Sequence, residues 1–131
     1  MNLLNSLERA GTVLLVEPHT PSRLVLRNAL AQQGYRVIHA VGGKEAEAAT
    51  QRLEAPLHLL ITELVLPDMD GLQLAERLSA RTPSLRVLLV SGDCHDVVFL
   101  DPGMANRAVF VRKPVEPRAV VTRAAALLQA A

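Results

Sequence analysis

The sequence predicts an α/β domain in which a doubly wound, five-stranded parallel sheet carries helices on both faces. Five short apolar runs rich in branched residues are spaced along the 131-residue chain. Segments with apolar residues at helical spacing lie between these runs. Alternating strands and helices are joined by right-handed crossovers, which make the strands parallel and distribute the helices over both faces.

The five apolar runs are the expected strands, because aliphatic runs of this length suit a sheet that is buried on both faces. Half of the residues are hydrophobic and only 2% are aromatic, so the core must consist mainly of aliphatic side chains. Residues 1 to 11 are expected to form a leader, and the expected domain covers residues 12 to 131. The strands are predicted at Val13 to Val16, Arg36 to His39, Leu57 to Ile61, Arg86 to Val90 and Ala108 to Val111.

The first two helices differ in how clearly the sequence marks them. Thr20 followed by Pro21 predicts an N-cap with proline at the first helical position, and Gly34 is expected to end that helix in a left-handed conformation. The second helix, from about Lys44 to Leu53, is predicted from composition alone.

The later helices are marked by a capping pattern and by helix breakers. Asp70 with Gln73 three residues later predicts a capping box that opens the third helix. Pro102 and Gly103 interrupt the segment between the fourth and fifth strands, so a short or distorted fourth helix is expected there. The last helix is predicted from about Val115 to Gln129.

Charge and cysteine content exclude several classes of protein. The formal net charge is +1 and the basic residues are scattered, which disfavours nucleic-acid binding. The single cysteine, Cys94, cannot form an internal disulfide, and Glu8 and Arg9 interrupt the leader where a signal peptide would be apolar. The longest apolar stretches are far shorter than the roughly 20 residues that span a bilayer. We therefore expect a cytoplasmic protein without a membrane partner.

Polar side chains follow four of the predicted strands. Glu17 follows the first strand, Glu63 the third, Ser91 the fourth and Lys113 the fifth. Because functional residues of such sheets cluster at the carboxyl ends of the strands, these two carboxylates, the hydroxyl and the ammonium are expected to converge.

Four segments carry a resemblance to a known family. Leu59 to Gly71 closely resembles the phosphoacceptor region of response-regulator receiver domains. Val13 to Pro18, Val90 to Gly92 and Phe110 to Pro114 are similar to three further motifs of that family. The resemblance runs from about Thr12 to Gln129, with 46, 28 and 22 residues separating successive pocket positions, and four motifs in this order are specific.

The resemblance implies a flavodoxin-like sheet of order 2-1-3-4-5 and a phosphorylation pocket. The family uses an aspartate nucleophile, a divalent cation held by that aspartate and by acids after the first strand, a hydroxyl and a lysine. Cation and lysine stabilise the charge of the phosphoryl group during transfer. The equivalents here are the phosphoacceptor position Glu63, the acidic positions Glu17 and Pro18, the phosphoryl-binding residues Ser91 and Lys113, the switch aromatic Phe110 and the cis-peptide candidate Pro114.

Two of these positions depart from the family pattern. Glu63 replaces the aspartate and lengthens the arm by one methylene, and Pro18 replaces an acid that would bind the cation. We therefore expect no cofactor and weak or lost Mg²⁺ binding. Lys113 then becomes the natural counter-charge of Glu63, with Ser91 as a candidate hydrogen-bond donor. Such a pair either imitates the phosphorylated pocket or simply holds one fixed conformation.

Other apparent motifs in the sequence lack residues that their usual functions require. The Gly42-Gly43-Lys44 sequence lacks the remaining residues of a phosphate-binding loop. Asp68 and Asp70 begin a segment similar to a calcium loop that lacks its final glutamate, and both are expected to cap the third helix. Phe110 has a simpler interpretation as a core or edge phenylalanine. The histidines and the cysteine have no metal-ligand spacing.

The expected function is that of a pseudo-receiver of two-component signalling, which binds a protein without turnover. A histidine kinase, an output protein or a second copy of the chain is the expected partner. The expected contact face combines the fourth-helix region, the fifth strand and the last helix. One alternative retains phosphoryl transfer with Glu63, Asp68 or Asp70 as acceptor. A more distant alternative is a hydrolytic enzyme with Glu17 and Glu63 as an acid and base pair, for which no cofactor fingerprint is present.

Overall fold

The computed structural model describes residues 11–92, 108–113 and 116–129. The strands are β1 (Thr12–Val16), β2 (Arg36–Ala40), β3 (Leu59–Glu63), β4 (Arg86–Ser91) and β5 (Ala108–Arg112). The helices within these residues are α1 (Thr20–Gln32), α2 (Gly43–Gln51), α3 (Gly71–Arg81) and α4 (Pro117–Gln129).

All strand pairs in the sheet are parallel, and the strand order is β2-β1-β3-β4-β5. The predicted doubly wound α/β fold and its order 2-1-3-4-5 are therefore confirmed. The three central strands are buried along almost their whole length, whereas β2 and β5 form the half-exposed edges.

Alternate side chains of β1 enter two separate cores. Leu14 and Val16 belong to the cluster on the face covered by α2 and α3, whereas Val13 and Leu15 belong to the cluster beneath α1 and α4. These four side chains are at most 1% exposed. Complete burial of one such aliphatic side chain contributes about 1.5–3 kcal/mol, so both faces of the sheet stabilise its central strands.

The third strand lies two residues later than predicted, and the shift changes the position of a candidate site residue. Leu57 is buried although it precedes β3, so its apolar character reflects packing from a loop. Thr62 and Glu63 pair in register with Leu89 and Val90 of β4. Glu63 is consequently the last residue of the strand, fixed by the ladder, and does not lie beyond the strand end as predicted.

The predicted N-cap of the first helix was wrong by one residue. His19 is the N-cap, and its Nδ1 accepts a hydrogen bond from the Ser22 backbone N–H at 3.3 Å. Thr20 is the first helical residue, and its hydroxyl accepts from Arg23 at 3.3 Å. Gly34 has a φ of +94°, which confirms the left-handed residue expected beyond this helix. The second helix begins one residue earlier and ends two residues earlier than predicted.

Several sequence-based predictions fall on parts of the chain outside the described residues. The expected fourth helix would lie within residues 93–107, and the expected leader, residues 1 to 11, lies outside the described residues except for Gly11. Pro114 and the cis peptide bond predicted for it also lie outside the described residues. Among the helices that are described, none has the length and apolar character needed to cross a membrane.

The start of α3 packs directly against the end of β3 and thereby fixes the position of Glu63. The Asp70 side chain caps α3 by accepting the Leu72 N–H at 2.8 Å, which confirms the predicted cap, whereas the reciprocal contact of Gln73 in a capping box stays a prediction. The Gly71 N–H donates to the Leu64 carbonyl at 2.7 Å. A Cβ atom on Gly71 would overlap the Glu63 carbonyl oxygen and come within 3.1 Å of the Leu64 Cα, so only glycine permits this approach.

We expect Gly71→Ala to lower the free energy of unfolding by about 2 kcal/mol or more, because the added methyl group meets backbone atoms that cannot rotate away. Gly92→Ala is the matched control, since among the described residues a Cβ there would meet only the Lys113 side chain, at 3.7 Å. Denaturant unfolding of the two variants and the parent measures the difference. Equal stability of the two variants would contradict the close approach of α3 to β3.

Candidate functional site

The carboxyl ends of the strands bring the predicted site residues to one edge of the sheet. The Leu64 N–H donates to the Val90 carbonyl at 2.8 Å, and the Lys113 N–H donates to the Ser91 carbonyl at 2.7 Å. These bonds continue the parallel ladder just beyond the ends of β3 and β5. The side chains of Glu63 and Lys113 therefore project from a backbone that is already held in place.

An ion pair joins Glu63 to Lys113, as the sequence predicted. The Lys113 Nζ contacts Glu63 Oε1 and lies 3.7 Å from Glu17 Oε1. Glu17 and Glu63 are 5% and 9% exposed, whereas the Lys113 side chain is 40% exposed. One lysine thus reaches from the solvent side to two buried carboxyl groups.

The ion pair only partly compensates the burial of Glu63. Oε1 is buried and accepts no hydrogen bond of good geometry, so its compensation is the charge of Lys113. Burial raises the pKa of Glu63 to about 7, with a further increase from the Glu17 carboxyl group, although Lys113 acts in the opposite direction. Near neutral pH, Glu63 is therefore divided between its protonated and ionised forms.

The same cluster shifts the pKa of Lys113. Burial alone would lower this pKa, but the close contact and charge of Glu63 and the charge of Glu17 outweigh that effect. The net result is a pKa above its usual range. The ammonium thus stays charged throughout the range in which Glu63 titrates.

Glu17 is held by the turn that follows β1. Its Oε2 accepts a hydrogen bond from the His19 N–H at 3.0 Å, and its backbone N–H donates to the Ala40 carbonyl at 3.0 Å. Pro18 lies within this turn and is half-buried. Proline contributes neither a carboxylate nor a backbone N–H at this position.

Sequence reasoning missed a buried arginine beneath this turn. Arg23 is 8% exposed and donates to the Glu17 carbonyl at 3.0 Å and to His39 Nδ1 at 3.1 Å. Burial, followed by the charges of Arg27 and Arg23, lowers the pKa of His39. An arginine in the first turn of a helix ordinarily indicates an exposed face, so periodicity offered no signal for its burial.

The prediction that Asp68 caps the third helix was wrong. Its Oδ1 accepts from the Gly43 N–H at 2.9 Å and its Oδ2 from the Lys44 N–H at 2.8 Å, so the carboxylate binds the start of α2. These backbone hydrogen bonds, from Lys44 first and then Gly43, hold the pKa of Asp68 below its usual range. The Gly42-Gly43-Lys44 sequence therefore does bind an anion at the start of a helix, and that anion is the Asp68 carboxylate.

The remaining predicted site residues lie nearby with less direct contact. Ser91 is 2% exposed at the end of β4, and its role as a hydrogen-bond donor to Glu63 stays a prediction. Phe110 is 39% exposed on β5. An exposed ring on the edge strand is consistent with either of the interpretations given for it above.

The carboxyl groups of Glu17 and Glu63 are the candidate cation ligands at this edge, and weak or lost Mg²⁺ binding stays a prediction. Mg²⁺ requires near-octahedral oxygen ligation at about 2.1 Å. The Lys113 ammonium already contacts Glu63 and lies beside Glu17, and Pro18 offers no ligand. Within residues 11–92, 108–113 and 116–129, no group of three or more acidic, histidine or cysteine side chains is arranged to hold a metal ion.

Comparison with known proteins gives a consistent result. The family model described as "Response regulator receiver domain" matches residues 13–125. The response regulator receiver protein CpdR of Brucella abortus is 33% identical over 119 residues, which cover 91% of this chain and 98% of that protein. The sensor kinase CckA of the same organism is 28% identical over 94% of this chain, a match that spans 13% of the kinase.

A solved structure supports the same assignment. The crystal structure of the receiver domain from the hybrid histidine kinase CckA has a TM-score of 0.76 and 25% sequence identity. The match covers 91% of this chain and the whole of that domain.

The raised pKa of Glu63 predicts how stability depends on pH. The folded state holds this proton more tightly than the unfolded chain, whose glutamate has its ordinary pKa of 4.5. The resulting stabilisation is complete below pH 4.5 and is lost as pH rises to about 7. We expect the free energy of unfolding of the parent, relative to that of Glu63→Gln, to fall by about 3 kcal/mol across this window. Urea unfolding at several pH values measures this difference, and parallel profiles would contradict it.

Removal of the Lys113 side chain should make the free energy of unfolding depend more strongly on pH. At pH 8, Lys113→Ala leaves a buried carboxylate without its counter-charge, which should cost about 2 kcal/mol after allowance for the exposure of the lysine. The deficit should shrink as pH falls, because protonated Glu63 needs no counter-charge. Arg112→Ala is the control, since Arg112 is an exposed cation at the neighbouring position, the last residue of β5. A Lys113→Ala protein as stable as the parent at pH 8 would show that the ion pair contributes nothing.

Proposed function

This chain belongs to the response regulator receiver domain family, and from that membership we propose that it is a pseudo-receiver that signals by binding a protein partner without accepting a phosphoryl group. The observation that carries the proposal is the Glu63–Lys113 ion pair beside Glu17. In this pocket the chain itself supplies both the carboxylate and the cation that contacts it.

The length of Glu63 argues against phosphoryl transfer. In-line transfer requires the nucleophile to lie within about 0.5 Å of its productive position. The extra methylene of glutamate moves the carboxylate by more than that tolerance. The Glu63 oxygen that contacts Lys113 is also buried, so an incoming phosphodonor would first have to separate the pair.

The lack of a complete cation site is a second, independent argument. A phosphoryl group in transfer carries charge on three equatorial oxygens, which receiver chemistry balances with a divalent cation and a lysine. Pro18 removes one ligand, and Lys113 is engaged with the two remaining carboxyl groups. Asp68 is also a poor alternative acceptor, because both of its oxygens accept backbone hydrogen bonds from α2.

The proposed partner is a histidine kinase, an output protein or a second copy of this chain. The relatives named above include a receiver protein and a sensor kinase, which is the setting in which such contacts occur. The proposed contact face comprises β5, α4 and the segment 93–107, of which the last lies outside the described residues. Arg112, Arg118 and Arg123 are exposed on β5 and α4 and give the β5 and α4 part of this face a positive charge.

The first test restores the two departures from the family pattern. We expect the parent, Pro18→Asp and Glu63→Asp to remain unlabelled by acetyl phosphate and to bind Mg²⁺ no more tightly than at several millimolar. The double variant should gain both properties, because three acids would then surround one hard cation. Intact-protein mass spectrometry and Mg²⁺ titration measure the two outcomes. Robust labelling of the parent at Glu63 would overturn the proposal.

The second test addresses the contact face. Simultaneous reversal of Arg112, Arg118 and Arg123 to Glu should weaken partner binding or self-association at least tenfold and change stability little, because exposed substitutions rarely affect folding. Arg36→Glu, on the opposite edge strand, is the matched control. Sedimentation velocity measures self-association, and affinity capture followed by mass spectrometry measures partner binding. Unchanged behaviour of the triple variant would exclude this face.

A further inference from the structure

A cavity of about 440 Å³ opens between α1 and α4 above the carboxyl end of the sheet. Val25 and Leu26 of α1 form one wall, and Pro117 and Val120 of α4 form the other. The ends of the central strands form the floor, which includes Ile61. Val25 is 52% exposed and therefore lies at the mouth of the cavity.

The charged groups of the cavity lining belong to a single cluster. Among the described lining residues, only Glu17, Glu63 and Lys113 are charged, and these three contact or adjoin one another. Small-molecule sites typically measure about 300–1,000 Å³ and combine apolar walls with a few convergent polar groups. This cavity has that size and that division between apolar walls and a polar end.

We propose that this cavity binds a small aliphatic amine, with the ammonium group against Glu17 and Glu63 and the hydrocarbon chain between α1 and α4. Once Glu63 is ionised, two carboxylates face one ammonium in the cluster, so a second positive charge would complete its neutralisation. A ligand ammonium can approach from the cavity, which the 40% exposed side chain of Lys113 also lines.

Other head groups match the cluster less well. A carboxylate or phosphate would add negative charge beside two buried carboxyl groups, and the lysine that could offset it is already paired with Glu63. A hydroxyl group would donate one hydrogen bond without supplying charge. The cluster therefore selects for a cationic head, whereas the apolar walls select for a hydrocarbon body.

The proposed amine binding does not depend on whether the protein performs phosphoryl transfer. An amine would bind whether or not Glu63 accepts a phosphoryl group, because binding needs only the apolar walls and the three charged groups. Failure of amine binding would accordingly leave the pseudo-receiver proposal unaffected.

The experiment titrates the intact chain with n-hexylamine at pH 8, which lies above the pKa of Glu63, and follows backbone amide shifts by NMR. We expect saturable 1:1 binding, with the largest shifts at residues of α1 and α4 that line the cavity. n-Butylamine should bind about 15-fold more weakly, since each buried methylene contributes about fourfold in affinity. 1-Hexanol and hexanoate, which carry the same chain, should each bind at least tenfold more weakly than the amine.

Three variants separate the contribution of the walls from that of the head-group site. Val25→Phe should narrow the mouth and weaken hexylamine binding at least fivefold, whereas Val65→Phe, at a residue that is 75% exposed and does not line the cavity, should leave it unchanged. Glu63→Gln should remove most of the preference for hexylamine over hexanol. A thermal melt of each variant verifies that it is folded.

Each result of the amine titrations either supports or overturns the proposed site. Saturable binding that depends on Val25 and on the charge of the head group supports the site. Absence of saturable amine binding by the folded parent overturns it. Equal affinities for hexylamine and hexanol, or equal effects of Val25→Phe and Val65→Phe, would overturn the assigned head-group site or the assigned walls.

Discussion

The arrangement of the site depends on one constraint: two carboxyl groups are buried at the same edge of a parallel sheet, and a single lysine faces both. Glu17 and Glu63 end adjacent strand segments, so the parallel topology forces them together. An isolated buried carboxylate is costly, and this cost is met by the Lys113 ammonium and by partial protonation of Glu63. The cation position, the titration of Glu63 and the polar end of the cavity all follow from this arrangement.

The loops around the cluster are held by charged side chains that bind backbone groups. Arg23 donates to the carbonyl of Glu17, and Asp68 accepts two N–H groups from the start of α2. Each contact satisfies backbone groups that helix ends and turns leave without partners. The turn after β1 is thereby tied to α1, and the loop after β3 is tied to the start of α2.

The same sheet supports two different surfaces. Its edge strand β5 and helix α4 present exposed arginines, a property suited to contacts with a protein. Its carboxyl edge, beneath α1 and α4, encloses the apolar cavity that ends at the charged cluster. Lys113 follows β5 directly and contacts Glu63, so it lies between the two surfaces. Loss of the ion pair between Lys113 and Glu63 would therefore act on the end of β5.

The sequence by itself determined the fold class, the strand order implied by the family resemblance, and the convergence of Glu63 with Lys113. These features follow from local apolar runs and from the rule that parallel strands share one carboxyl edge, so each needs only short stretches of sequence. Only the tertiary structure decided that Arg23 is buried, that Asp68 caps α2, and that a cavity lies between α1 and α4. The two side chains bind through contacts 6 to 25 residues apart, and the cavity arises where two helices fail to fill a space. Neither hydrogen bonds to distant backbone groups nor the fit between helices leaves a periodic pattern in the sequence.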